Sequence, residues 1–205
     1  MDAYTQERRR LRIDTVLGQD HVLPVSLRGR DSISAFFSYD VELASTDHAI
    51  KADDILGTSA TLRLEDSTGL YTNINGVVAR FAVAGRDARG FSLYRIYVVP
   101  SLWFLTQTRD CRIFQDKSVR DIVDAILGEH GIQHKEWRLN AEHEKCDYCV
   151  QYRETAYDFI CRLLEEEGIF FYFHHDDKKH TVVFSDNNRG LTKCANERVA
   201  IAGDV

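Results

Sequence analysis

YCVQYRETAYDFICRLLEEEGIFFYFHHDDKKHTVVF, residues Tyr148–Phe184, decides how the rest of this chain is read. It runs as strand, helix, strand, turn, strand. Thr155 is a good N-cap: its hydroxyl accepts the free N–H of Asp158, and Asp158 can return the bond, a Thr-x-x-Asp capping box. Ala156, Phe159, Ile160, Leu163 and Leu164 then recur at helical spacing, with Asp158, Arg162, Glu165 and Glu166 on the other side. Gly168 supplies the left-handed residue that ends a helix, and Ile169–Phe173 is an apolar run too short for another. That run predicts a strand covered on both faces. His174–Lys179 is polar enough to turn at the surface, and Thr181–Phe184 returns as the partner strand of a hairpin.

Working upstream, Ser118 with Asp121 repeats the capping-box logic, and Val119, Ile122, Val123, Ile126 and Leu127 form a second apolar stripe that stops before Gly131. Residues 106–190 therefore read as an α+β layer, two helices on a small sheet. Before Pro100 the period is two. Leu11, Ile13 and Leu17 alternate with polar or small residues, as do Phe37, Tyr39, Val41 and Leu43, and Ala60, Leu62 and Leu64. Lys51–Leu56 is one helical turn at most, closed by Gly57. Asn75-Gly76 is either a hairpin turn or, the favoured reading, a bulge in one long bent strand. Phe91–Val99 is apolar on both faces, so either the second region or another subunit is expected to cover its outer side. Residues 10–105 thus predict a small antiparallel β-barrel, and the fold class is α+β and β-rich. Residues 191–205 read as the start of a further barrel, with a strand over Arg198–Ala202.

With 44% hydrophobic and 28% charged residues, the 205-residue chain has enough apolar side chains for a core. The net charge of −6 argues against nucleic acid as a partner, because phosphate contacts need a clustered basic surface. Arg8-Arg9-Arg10 reads as the flank of an edge strand. No apolar run approaches the roughly 20 residues of a membrane span, and no apolar segment follows the charged N-terminus, so the expectation is a cytoplasmic protein with no signal peptide. Five cysteines, at 111, 146, 149, 161 and 194, are odd in number and scattered, the pattern of reduced thiols.

Concentrated chemistry is hard to find. The glycines at 85 and 90 lack phosphate-loop spacing, and no G-x-S-x-G elbow occurs. Glu165-Glu166-Glu167 splay around a helix and read as a solvated face; His174-His175 reads as the exposed mouth of a hairpin. The best metal candidate is His134, His143, Cys146 and Cys149, since Cys-x-x-Cys is half a zinc site and two histidines precede it. Against it, Cys149 opens an alternating strand and should point away from the face of Cys146, with no Gly or Pro knuckle nearby. The residues therefore predict no catalytic group, no cofactor and no enzyme; a zinc-stabilised domain or metal-dependent enzyme on those four residues, and a peptide- or carbohydrate-binding barrel, remain as alternatives.

Gln151-Tyr152-Arg153-Glu154 leading into the helix, followed by Glu166-Glu167-Gly168-Ile169-Phe170, resembles the VgrG family, the trimeric spike protein of type VI secretion systems. Arg109-Asp110-Cys111-Arg112-Ile113-Phe114-Gln115-Asp116-Lys117-Ser118 resembles that family's other recurrent signature, and Leu23-Pro24-Val25-Ser26-Leu27 with Phe36–Leu43 also fits. The resemblance extends from about Leu11 to about Asp186. It implies a phage tail hub-like fold and a homotrimer whose paired barrels make a pseudo-sixfold ring on the hexameric tube protein. It further implies effectors or adaptors carried by later parts of the protein, and secretion by the type VI machinery. Family members continue well past the position of Val205, into a second barrel, an OB-fold neck and a β-helical needle, so this stretch alone is expected to associate weakly. The hub of a contractile phage tail shares the fold and is the alternative reading.

Overall fold

The computed structural model describes residues 4–188 and 191. Strands β1 (Leu11–Thr15), β2 (Leu23–Arg30), β3 (Ser38–Ser45), β4 (Ser59–Glu65), β5 (Tyr71–Arg86) and β6 (Ser92–Val99) form one antiparallel sheet in the order β1-β4-β5-β6-β3-β2. β1 and β2 stand at opposite ends of that order yet come into contact, so the sheet curls into a barrel that hydrogen bonding does not close. The alternation read from sequence fills its inside with Ile13, Val41, Leu43, Leu62, Tyr94, Ile96 and Val98, all buried. Each such side chain contributes roughly 1.5–3 kcal/mol when taken out of water. At the β1 end the buried Gln6 does what a neighbouring strand would: its Nε2 donates to the Ile13 carbonyl (3.0 Å) and its Oε1 accepts the Ile13 N–H (2.6 Å). Arg9 donates to the Pro24 carbonyl, tying the approach of β1 to β2.

The long bent strand is present, but its bulges lie elsewhere than expected. They fall after Val78 and after Val83, whereas Asn75 and Gly76 keep regular register with Thr61 and Ala60. Gly76 is required for closeness: a Cβ there would lie 2.6 Å from Val98 Cγ1 and 2.7 Å from the Val99 carbonyl oxygen. The outer side of β6 is only partly covered. Val99 is buried, but Leu93 and Tyr97 are half-buried and Arg95 is exposed.

After a 3-10 helix at Ser101–Thr106 come β7 (Arg109–Ser118), α1 (Val119–Glu129), β8 (Lys135–Arg138), β9 (Lys145–Thr155), α2 (Ala156–Glu166), β10 (Phe170–His175) and β11 (His180–Ser185). The single small sheet expected here is in fact two: an antiparallel β7–β9 ribbon, and β10-β11-β8 with β8 parallel to β11. β7 and β8 are too polar to read as strands by periodicity; pairing with distant partners makes them so. Ser118 and Asp121 form the reciprocal box that begins α1. At α2 the return bond differs from expectation. Thr155 Oγ1 accepts the Asp158 N–H (3.0 Å) and itself donates to the Asp158 carboxylate (2.7 Å), since the Thr155 backbone belongs to the β9 ladder opposite Arg109.

Gly168, at φ +67, ends the helix region as expected. The strand that follows is buried on one face only: Phe171 and Phe173 point inward, and Phe170 and Tyr172 are half-buried. The five apolar residues of α1 and the five of α2 are all buried. One continuous apolar cluster joins them to the barrel, with Phe114 stacked on Phe159 (centroids 5.7 Å) and Trp137 on Phe184 (4.3 Å). Arg198–Ala202, Cys194 and, Leu191 excepted, the predicted 191–205 segment lie outside the described residues.

Candidate interaction surfaces

The two segments that carry the family resemblance, far apart in sequence, are one object in space. β7 and β9 pair with each other, and Arg112 sits opposite Gln151. Gln151 is completely buried and bonded at both ends of its amide: Oε1 accepts from Arg112 Nε (3.0 Å) and Nε2 donates to the Glu154 carbonyl (3.1 Å). That last bond spans Arg153, the extra residue of a bulge, held at φ +53. Arg162 of α2 then clamps the bulge by donating to Glu154 Oε1 (2.7 Å) and to the Val150 carbonyl (3.1 Å). Arg112 also reaches Glu129 at the end of α1. The signature residues thus shape a ribbon and seat it on two helices.

The ribbon's other face is turned to solvent. Cys111 lies opposite Tyr152, Ile113 opposite Val150, and Gln115 opposite Tyr148. Ile113 is 59% exposed, Tyr148 58% and Tyr152 65%, an apolar and aromatic patch with no cover among the described residues. A second unpartnered element lies on the barrel. β4 accompanies β5 only as far as Val77, with Thr58 and Gly57 bonding Val78; beyond it, the β4-side edge of Ala79–Arg86 has no strand partner among the described residues. Val83 stands 67% exposed on this edge. An open edge of this kind is a template for another strand.

Between barrel and layer lies a part-buried polar seam. β6 stops opposite Val77, leaving the N–H of Asn75 without a strand to bond; His175 Nδ1 accepts it (3.0 Å). The Asn75 side chain donates to the carbonyls of Asp176 (2.8 Å) and Lys179 (3.0 Å), so one barrel residue holds both ends of the β10–β11 turn. Ser101 N–H donates to His180 Nε2 (3.0 Å). Phe37, with no exposed surface, packs against Phe173, His175 and His180 at centroid distances of 5.0, 5.1 and 5.7 Å. Burial, reinforced for His175 by His180 and His174, pushes that imidazole down to about 4. His180 is also pushed down to about 4 by burial, opposed by a hydrogen bond with the Asn75 backbone. The expectation of an ordinary exposed His174-His175 mouth holds for His174 alone. Neither the seam role of His175 nor that of His180 is readable from sequence, because the barrel wall they meet is about 100 residues away in the chain.

The four metal candidates are not brought together. His134 is exposed before β8, its carbonyl accepting the Val182 N–H. The His143 side chain lies between Glu167 (Nδ1 to Oε2, 2.6 Å) and Asp186 (Nε2 to Oδ2, 3.5 Å). Glu167, read as part of a solvated face, therefore has a specific partner. Cys146 is half-buried and Cys149 buried against the apolar cluster, where burial first and Cys146 second push the Cys149 thiol up. Among the described residues no three His, Cys, Asp or Glu side chains are arranged to hold a metal ion. The described cysteines, Cys111, Cys146, Cys149 and Cys161, are free thiols, and burial pushes Cys161 up to about 11. No helix among the described residues is long and apolar enough to cross a membrane.

Comparison with known proteins agrees with this architecture. The chain is 38% identical over 183 residues to the type VI secretion system spike protein VgrG1c of Pseudomonas aeruginosa, covering 89% of this chain and 25% of that protein. It spans about a quarter of the length of such curated relatives. Among solved structures, the E. coli c3393 protein, described as a type VI secretion component with structural similarity to the T4 bacteriophage tail proteins gp27 and gp5, superposes with a TM-score of 0.80 at 27% identity. That match covers 90% of this chain and 51% of the other. A prophage MuSo2 43 kDa tail protein from Shewanella oneidensis shares the fold at a TM-score of 0.52 and 14% identity, covering 79% of this chain and 54% of its own. The family model for the phage tail baseplate hub (GPD) matches residues 30–203, and the chain, a barrel joined to an α+β layer, belongs to that family.

Proposed function

We propose that this chain is the hub segment of a type VI secretion spike. The observation that carries the reading is the 38% identity to a VgrG spike protein over nearly the whole chain. In this reading residues 10–105 are one barrel and 106–190 an α+β domain of the hub. Three copies of the longer protein associate, and the resulting ring docks on the hexameric tube protein. The open β5 edge and the apolar face of the β7–β9 ribbon are the surfaces best suited to self-association and stacking. Effectors or adaptors join through other parts of the longer protein. Assembly takes place in the cytoplasm, and export follows through the type VI machinery.

The second reading, the hub of a contractile phage tail, is favoured by the family model and by the fold shared with a prophage tail protein. Co-purification decides between them: the spike reading expects capture of the secretion tube protein, and the phage reading expects capture of a tail tube or baseplate protein instead. Light scattering on the chain should show weak, concentration-dependent association. A tight hexamer or a tight twofold dimer would contradict a threefold spike.

A further inference from the structure

Both seam histidines act as acceptors toward main-chain donors. The Asn75 N–H points at His175 Nδ1, and the Ser101 N–H points at His180 Nε2, each at 3.0 Å. A hydroxyl can rotate and reverse its role; a backbone N–H cannot. Each of these nitrogens must therefore be bare, and each ring neutral. Adding a proton to either sets N–H against N–H and leaves a charge in a slot walled by Phe37 and Phe173.

Beyond the Asn75 backbone bond to His180 and the Ser101 Oγ that lies 3.0 Å from His180 Nε2, neighbouring groups give little compensation. The two rings lie 6.1 Å apart, so the first charge opposes the second. His174 on β10 opposes a charge on His175, and His134 before β8 opposes one on His180. Asp176 favours the charged form of His175, but its carboxylate is engaged by the N–H groups of Lys178 and Lys179. Asp177 bonds Asn73. Lys178 and Lys179 contribute only positive charge. Among the described residues no carboxylate is hydrogen-bonded to either ring. On the barrel itself, by contrast, His21 faces the Asp47 carboxylate at 3.0 Å. A cavity of about 220 Å³, lined in part by Asn75, Ser101, His134, Lys179 and His180, gives protons a route to the seam.

We propose that His175 and His180 form an acid-released latch, which at neutral pH clamps the β10–β11 hairpin to β5 and to the Ser101 turn, and which protonation of either ring opens while the β1–β6 sheet stays paired. The downward displacement of both imidazoles, to about 4, sets where this happens: the latch holds through mildly acid solution and opens as the pH nears that value.

The test is an imidazole titration by NMR together with amide hydrogen exchange on this chain from pH 7 to about pH 4, with exchange rates corrected for their intrinsic pH dependence. His175 Nδ1 and His180 Nε2 should keep the shifts of unprotonated nitrogen until the lowest part of the range. The Asn75 and Ser101 amides should then lose roughly tenfold or more of their protection, while Val41 and Ile96 in the β3–β6 ladder keep theirs. A His175→Asn, His180→Gln double variant, whose amide oxygens accept without titrating, should flatten that response. If the double variant does not fold, the wild-type titration and exchange data decide alone. Either ring titrating above about pH 6, loss of protection at Asn75 and Ser101 in step with Val41 and Ile96, or an undiminished pH response in a folded double variant would overturn the latch.

Discussion

The seam and the ribbon are both places where strands meet something other than a strand, and they are built in opposite ways. In the seam, polar groups have fixed partners: the Asn75 N–H meets His175 Nδ1, the Ser101 N–H meets His180 Nε2, and Phe37 packs against both rings. On the outer face of the ribbon, Ile113, Tyr148 and Tyr152 make a broad apolar surface with no polar group that demands a particular partner. Buried polar atoms are costly when mismatched, so they fix a geometry within the chain. Apolar area is forgiving and gains whenever it is covered, so it can wait for another molecule.

Removing the wall of the seam should have the largest effect. Phe37→Ala deletes a fully buried ring that touches both halves, and should cost about 3–5 kcal/mol in denaturant unfolding. A loss below about 1 kcal/mol would mean that the two regions do not depend on this contact.

Acid comes next. Both imidazoles titrate near 4 in the folded chain against an ordinary 6.5, so between those values the unfolded chain binds more protons and stability rises with pH. Their contribution is complete above about 6.5 and is lost as the pH falls toward 4, on the order of 2–3 kcal/mol for each ring. Unfolding midpoints measured from pH 7 down to 4 should fall accordingly, and a flat profile would remove the seam's claim to specificity.

The ribbon supplies the sharper contrast, because one strand carries both behaviours. Gln151→Ala removes an acceptor of Arg112 Nε and the donor to the Glu154 carbonyl beneath the bulge, and should destabilise by about 1–3 kcal/mol. Ile113→Ser with Tyr152→Ser, on the face outside, should change stability by no more than about 0.5 kcal/mol per site while weakening self-association in sedimentation. Equal effects from both substitutions would erase the distinction between inward and outward residues.

Much of the architecture was legible because local patterns were strong. The two helices, their Ser118 and Thr155 caps, the Gly168 stop and the barrel's alternating strands needed only short-range periodicity to be recognised. β7 and β8 escaped because Arg109–Ser118 and Lys135–Arg138 are polar on most positions and become strands only by pairing with β9 and β11. The same limit hid the seam: a histidine in a polar turn looks like any surface histidine until a distant Asn75 N–H is seen to need an acceptor.

From its own residues, then, this chain determined its two helices, most of its barrel strands and which face of each turns inward, since those follow from neighbours within a few positions. The tertiary structure alone decided that Arg112 meets Gln151, that His175 and His180 must stay neutral, and that Tyr152 and Val83 remain uncovered. Hydrogen-bond satisfaction and exposure are properties of what comes to lie alongside, and in this fold the decisive neighbours arrive from dozens to about a hundred residues away.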